Sequence, residues 1–410
     1  MPLERLHTVL SAQLADLEEK GTRKGAEDVI TKVIPPDAGS GPRFLLEAAG
    51  EKRFIKMNSN SYLGMSLRKE VIAAEEAAVR AFGVGPGAVR FISGTYRHHV
   101  DLEHQLASFH DREAVMLFSS AYAAVLSALA ALVTPETAVI SDALNHNCII
   151  NALRLARPGE KRVYKHLDLA DLARHLRELS GVSRRAIVVT DGVFSMRGDH
   201  APLAALSDVV REFDGRFPEN ILLLVDDSHG VGALGKTGRG TEEFTGGRGV
   251  DLLVATLGKA LGVNGGYAAG SRTVVDYLRE MAPMYIYSNP ITVPEAAAAL
   301  KALQILDSDL GRELLETLRG LTQRFRQGLV KAGYETLPGE HPVVPLMVRD
   351  TQRTRALVAH LKTHGVLATG LAYPVVPRGD EEIRFQINAD HTTGDIDQVL
   401  EILSSYRTHA

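Results

Sequence analysis

Short apolar runs separated by polar junctions dominate the middle of the chain. AVMLF (114–118), TAVIS (137–141), AIVVTD (186–191), ILLLVDD (221–227), LLVATL (252–257) and YAAGS (267–271) are continuous rather than alternating, with helix-like segments between them. A strand that is apolar at every position has both faces covered, so these runs predict a mostly parallel α/β sheet with helices on both sides. The most apolar window, AYAAVLSALAALV at 121–133, falls short of the ~18–20 residues a bilayer crossing needs and predicts a buried helix.

Ahead of the sheet, Leu3, Leu6, Leu10, Leu14 and Leu17 recur at helical spacing with acids between them, which predicts a leading helix. The connection VIPPDAGSGPRF and a short strand ending near Met57 follow, so this part reads as an arm reaching a main body. Towards the C-terminus, helical ALKALQIL and RALVAHLK separate VVPLMV, VLATGLAYPVV and EEIRFQIN, the pattern of a smaller α/β domain with an antiparallel or mixed sheet. The expected organisation is an arm over 1–58, a large domain over 59–290 and a small domain over 291–410. No internal repeat or low-complexity tract interrupts it.

Composition narrows the function classes. The 410 residues are 45% hydrophobic and 23% charged, as in an ordinary globular protein. A formal net charge of −4 leaves no surplus of Lys and Arg to neutralise phosphodiesters, so nucleic acid is not an expected partner. A single cysteine, Cys148, rules out an internal disulfide framework. With an N-terminus unlike a secretory or transit peptide, a cytoplasmic protein without a membrane span is expected. Cys148 lies near His146 and could be read as a nucleophile, but a buried small residue is the better reading.

Two signatures compete in LLVDDSHGVGALGKTGRG (223–240). GVGALGKT satisfies the phosphate-loop pattern, which works when its Lys-Thr pair opens a helix. Gly238 and Gly240 follow at once and oppose a helix, and the pattern begins three residues past the strand. GVGPGA (83–88) lacks the spacing of a dinucleotide fingerprint. The DDSH reading has company: Lys259 in TLGKALG, His146 in SDALNHN and Ser119-Ser120-Ala121-Tyr122 also fall at the C-terminal ends of predicted strands, where open α/β sheets bind ligands. An amine to condense with an aldehyde, an acid to hold a pyridine nitrogen protonated and backbone donors for a phosphate are what pyridoxal phosphate needs. Taken singly, the acid reads as a helix cap, the histidine as structural and the lysine as a solvated loop residue; together they favour the cofactor. His99 and Glu103 are four apart, but no second ligand pair stands at comparable spacing, so no metal is expected.

NSYLG (60–64), VRFISGT (89–95), ISDALNHNCII (140–150), TDGVFSMRGD (190–199), VDDSHGVGALGKTGRG (225–240), TLGKALG (256–262), YSN (287–289) and YPVVPRGDEEIRFQINADHT (373–392) resemble the α-oxoamine synthases, a family of fold-type-I pyridoxal phosphate enzymes. The resemblance runs from about residue 55 to 405 and is strongest to the glycine C-acetyltransferase branch. It implies that Lys259 carries the cofactor, Asp226 partners the pyridine nitrogen, His229 donates to the ring oxygen and His146 stacks on the ring. It places Ser195 near that oxygen, and Thr256 with the backbone of Ala121 and Tyr122 at the phosphate. Asn60 and Arg384 would meet the substrate, Arg384 pairing with its carboxylate. Ser288 and Asn289 would complete the neighbouring subunit's site, which implies a homodimer with shared active sites.

The activity implied is condensation of a small amino acid with an acyl-CoA, giving an α-amino ketone or 2-amino-3-keto acid and free CoA. Phe91 stands where 5-aminolevulinate synthases of the family hold a succinyl carboxylate with asparagine. An apolar ring offers that charge no partner, so an uncharged acyl-CoA is expected. Glycine is the expected first amino acid, with alanine and serine behind it. A branch using longer acyl donors, similar to 8-amino-7-oxononanoate synthases or serine palmitoyltransferases, is the nearest alternative. An aminotransferase and a noncatalytic partner subunit are the alternatives of another class.

Overall fold

A computed structural model describes residues 3–409 apart from 21, 22, 24, 38 and 374, and the last lies within the 373–392 motif. The leading helix forms as α1 (Glu4–Glu19), but it buries no residue: Leu6, Leu10 and Leu14 all stay largely exposed. The arm continues as β1 (Ile30–Ile34), β2 (Arg43–Leu46) and β3 (Arg53–Lys56), an antiparallel run. Helices α2 (Lys69–Phe82) and α3 (Arg97–Phe109) then lead into the main sheet.

That sheet contains β4 (Ala114–Phe118), β5 (Thr137–Asp142), β6 (Glu160–Tyr164), β7 (Arg185–Asp191), β8 (Ile221–Asp226), β9 (Leu252–Thr256) and β10 (Gly266–Gly270). Among the described residues its order is β4-β10-β9-β8-β7-β5-β6. Only β10 runs against its neighbours, pairing antiparallel with both β4 and β9. The continuous apolar runs have the predicted cause. Val115, Leu117, Val188, Leu223 and Val225 enter one core, while Met116, Phe118, Ile187, Val189 and Leu224 enter another on the opposite face. Each fully buried side chain of this kind contributes ~1.5–3 kcal/mol, and the buried polar positions lie near the strand ends, as with Thr190 and Asp191. Strand β6 is the exception: at the sheet edge its exposure alternates, with Lys161 and Val163 on the exposed row and Glu160, Arg162 and Tyr164 on the more covered one.

The window predicted as a buried helix is α4 (Ala121–Leu132), and α5 (Asn147–Ala156) follows β5. In the C-terminal part, β11 (Glu335–Thr336), β12 (Val343–Met347), β14 (Thr369–Leu371) and β15 (Glu382–Gln386) form the expected antiparallel sheet in the order β11-β12-β15-β14. Strand β13 (Val366–Leu367) instead pairs parallel with β3, joining the arm to the C-terminal part. No helix among the described residues is long and apolar enough to cross a membrane.

Candidate active site

The C-terminal ends of β4, β5, β7, β8 and β9 surround one cavity of about 280 Å³. Of the residues expected there, Ala121, Tyr122, His146, Ser195, Asp226, His229, Thr256 and Lys259 all line it. Ser120 caps α4 by accepting from the Ala123 N–H at 3.1 Å. The amides of Ala121 and Tyr122 are first-turn groups with no acceptor inside the helix. Gly266 lets this helix start come close, since a Cβ there would lie 2.2 Å from the Ala121 nitrogen.

Strand alternation separates the two adjacent acids. Asp226 faces the cavity, with Oδ1 accepting from the Ser228 N–H at 3.1 Å and Cys148 Sγ 3.5 Å from Oδ2. Asp227 turns the other way and accepts from the Thr241 hydroxyl and N–H. Burial pushes Asp227 up to about 7, so it is a structural acid. Lys259 sits in the turn after β9, closed by the Gly262 N–H on its carbonyl at 3.0 Å. Burial lowers its pKa, against the opposing pull of Asp226 and Asp191, which favours a free amine.

His146 is both a wall of the cavity and the cap of α5, its Nδ1 accepting from the Cys148 N–H at 3.3 Å. A nitrogen used as acceptor fixes a neutral ring, in keeping with the lowering that burial and then Lys259 impose. Cys148 is buried, and burial together with Asp226 raises its thiol pKa, so it is the inert residue expected. His229 Nδ1 lies 2.7 Å from the Tyr62 hydroxyl, and its carbonyl accepts from His341 Nε2 at 2.8 Å. With the Tyr62 hydroxyl donating to Nδ1, the proton stays on Nε2. Burial and Lys259 depress this imidazole well below its ordinary range, so it is a neutral donor.

Five expected residues do not line this cavity. Arg384, on β15, reaches towards it and donates to the Ser195 carbonyl at 2.7 Å. The Gln386 amide, oriented with its oxygen inward, accepts from Arg384 Nε at 2.8 Å. No carboxylate pairs with Arg384 among the described residues, so its charge is available to a ligand. Asn60 lies behind His229, 3.4 Å from the Tyr62 hydroxyl. Phe91 is 65% exposed on the surface, and Ser288 and Asn289 occupy a loop elsewhere.

A buried ion cluster fixes the Phe91 turn. Glu103 receives Arg90 at 3.0 Å and Arg279 at 2.9 Å, and Arg279 also donates to the Tyr285 hydroxyl. Glu103, considered above as a metal ligand, is thus taken up by two guanidinium groups, and His99 bonds the Ile291 carbonyl. Glu103→Ala strands both charges, so urea unfolding should show a loss of about 3–5 kcal/mol. A loss below ~1 kcal/mol would show that the cluster does not hold this turn.

The site contains residues to which no role was given from sequence. Asp191 lines the cavity, with Oδ2 accepting from the His146 N–H at 3.0 Å and Oδ1 buried without a partner. Burial and then Asp226 raise it well above the carboxylate range. Its signal was present, since AIVVTD ends in an acid just as ILLLVDD does. Tyr62 was visible only as a motif letter, and His341 had no pattern around it. The phosphate-loop match fails structurally too, because Glu243 accepts from the Thr237 N–H and hydroxyl where a phosphate would have to sit.

A family model described as aminotransferase class I and II matches residues 52–403. Over 398 residues the chain is 37% identical to 8-amino-7-oxononanoate synthase 1 of Bacillus velezensis, covering 97% of this chain and 96% of the relative. It is also 37% identical over 401 residues to the mitochondrial 2-amino-3-ketobutyrate coenzyme A ligase of Homo sapiens, covering 97% and 91%. A serine palmitoyltransferase solved with pyridoxal phosphate superposes with a TM-score of 0.86 at 25% identity, covering 99% of this chain and 98% of that one.

Proposed function

The chain belongs to the class I and II aminotransferase family and, within it, to the α-oxoamine synthases, and from that premise we propose that it joins a small amino acid to an uncharged acyl-CoA, glycine first and alanine or serine after it. It is a pyridoxal phosphate-dependent acyltransferase. The observation that carries the substrate reading is Arg384, which has no carboxylate partner among the described residues and reaches towards a cavity that contains the Lys259 amine.

The residues fit the cofactor. Asp191 Oδ1 and Ser228 Oγ are buried without partners in the cavity, Asp226 lies at its base and the open amides of α4 line it. When bound, pyridoxal phosphate supplies an aldehyde that captures the amino group and a ring that takes up the electron pair left when the Cα–H bond breaks. Asp226 would hold a proton on the pyridine nitrogen, and the neutral His229 and Ser195 would serve the ring oxygen. The Ala121 and Tyr122 amides would hold the phosphate, with Thr256, whose hydroxyl donates to the Gly265 carbonyl at 3.1 Å, beside it. Arg384 grips the α-carboxylate in two-pronged geometry. Lys259, depressed towards the free amine, takes the Cα proton, and His146 walls one face against water.

Phe91 can meet an acyl group only in another chain's cavity, because in its own chain it faces outward. The ion cluster ties its turn to the helix Pro283–Ile286, which precedes Ser288 and Asn289. Both segments are therefore presented together, which supports a homodimer in which each chain completes its partner's site. The exposed leucines of α1 are consistent with the same assembly.

A matrix of amino acids against acyl-CoA lengths, read as free thiol, tests this reading. Glycine with acetyl-CoA or a somewhat longer neutral donor should give the highest kcat/KM. Succinyl-CoA winning over neutral donors, or a bulky amino acid over glycine, would overturn it. The relatives named 8-amino-7-oxononanoate synthase favour a second reading with a longer donor, which the same matrix separates. Turnover that depends on a keto acid without CoA would instead indicate amine transfer.

A further inference from the structure

We propose that His166 is a positioning residue of this site, whose ring, hydrogen-bonded at both nitrogens, ties the loop ending in His146 to the loop carrying Ser195 and so sets Arg384 for the substrate carboxylate. The proposal rests on the reading of Arg384 given above. His166 follows β6, the polar edge strand, and does not line the cavity.

Its Nδ1 lies 2.9 Å from Asp142 Oδ1 and its Nε2 3.2 Å from Asp199 Oδ2. A carboxylate on each nitrogen requires an N–H on each, so the bridge exists only with a cationic ring. Burial opposes that charge, but the two carboxylates outweigh it and the ring is pushed up to about 9. Around the bridge, Arg197 donates to Asp199 at 2.9 Å, the Tyr164 phenol and Asp191 face Asp142, His200 faces Asp199, and the charge of Glu382 on β15 senses Arg384, Arg197 and Asp199. The Phe194 ring packs edge-on against the imidazole, with centroids 4.4 Å apart.

Both carboxylates lead to the active site. Asp142 ends β5, accepts from the Leu144 and Leu167 amides and opens the short loop to His146. Asp199 closes a tight turn: Phe194 donates to the Asp199 carbonyl at 2.9 Å, and Val193 bridges to His200. Ser195 projects from that turn, and its carbonyl receives Arg384. Losing the ring proton leaves a lone pair facing a carboxylate. The longer contact, to Asp199, is the one to break, which frees the turn and Arg384 with it.

The sign is fixed by the raised value. The bridge is fully formed below 6.5 and is lost as pH rises through about 9. Histidine-labelled holoenzyme followed by NMR should show one ring titrating near 9, assigned by its absence in His166→Asn. Because an amino acid's own amine titrates in this range, the functional readout is inhibition by propionate, a carboxylate whose charge is constant there. Its inhibition constant should rise about tenfold across the ring's titration, the equivalent of one charge-assisted hydrogen bond.

Asp199→Asn keeps an acceptor but removes the charge, so ring titration and inhibition limb should move together to lower pH. A ring titrating at its ordinary value in the wild type, or a limb that stays put while the ring's titration moves, would overturn the proposal. Neither readout involves acyl transfer. Failure of every acyl-CoA would therefore count against the substrate reading and leave this test intact.

Discussion

Lys259→Ala is expected to abolish turnover while leaving the fold and much of the cofactor affinity in place. The side chain makes no ion pair among the described residues, and the turn that carries it is held by main-chain bonds, from Gly262 N–H to the Lys259 carbonyl and from Val263 N–H to the Leu257 carbonyl. Removing the amine therefore disturbs no structural contact. What is lost is the only lysine lining the cavity among the described residues, the group proposed both to attach the cofactor and to move the Cα proton. General-base loss alone costs ~10²–10⁴ in rate, and loss of the attachment site adds to it. Borohydride treatment followed by intact-mass measurement should add the cofactor's mass to the wild type and not to the variant. A variant that keeps even a tenth of the rate, only ~1.4 kcal/mol above the wild-type barrier, would remove Lys259 from the chemistry.

What the sequence reveals follows from where each constraint acts. Strands β7 and β8 were legible because both faces enter a core, so their central positions are apolar and the acid ending each run stands out. Strand β6 carries EKRVY, an alternating edge strand too polar to resemble its neighbours, and His166 just beyond it went unnoticed with it. The cavity residues were legible as strand ends, whereas their supports were not. Tyr62 meets His229 across 167 positions and His341 meets it across 112, contacts with no local pattern. Asn60 and Arg384 were reached only through resemblance, and the structure places them behind and beside the cavity. Phe91, Ser288 and Asn289 lie outside it, as they must if the proposed homodimer shares its sites between chains.

Asp226→Asn is the sharper test of the cofactor chemistry, because it changes charge with almost no change in shape. The Ser228 N–H can still donate to the amide oxygen, and the second oxygen's one hydrogen-bond partner among the described residues is the Cys148 thiol at 3.5 Å. The variant should fold and bind cofactor, yet a neutral amide cannot hold the proton on the pyridine nitrogen. The ring then no longer takes up the electron pair from Cα, and the rate should fall by several orders of magnitude, each ~1.4 kcal/mol of barrier being tenfold. Lys259 does not account for the loss. Asp226 holds that amine's pKa up, so its removal leaves the base more fully deprotonated. A group placed to compensate is Asp191, whose pKa burial and then Asp226 push up and which gains acidity once Asp226 is gone. Residual activity in Asp226→Asn should therefore fall further in the double variant with Asp191→Asn. Single-turnover rates on cofactor-saturated protein decide the matter, and a drop of less than about tenfold in Asp226→Asn would show that this carboxylate is not the partner of the ring nitrogen.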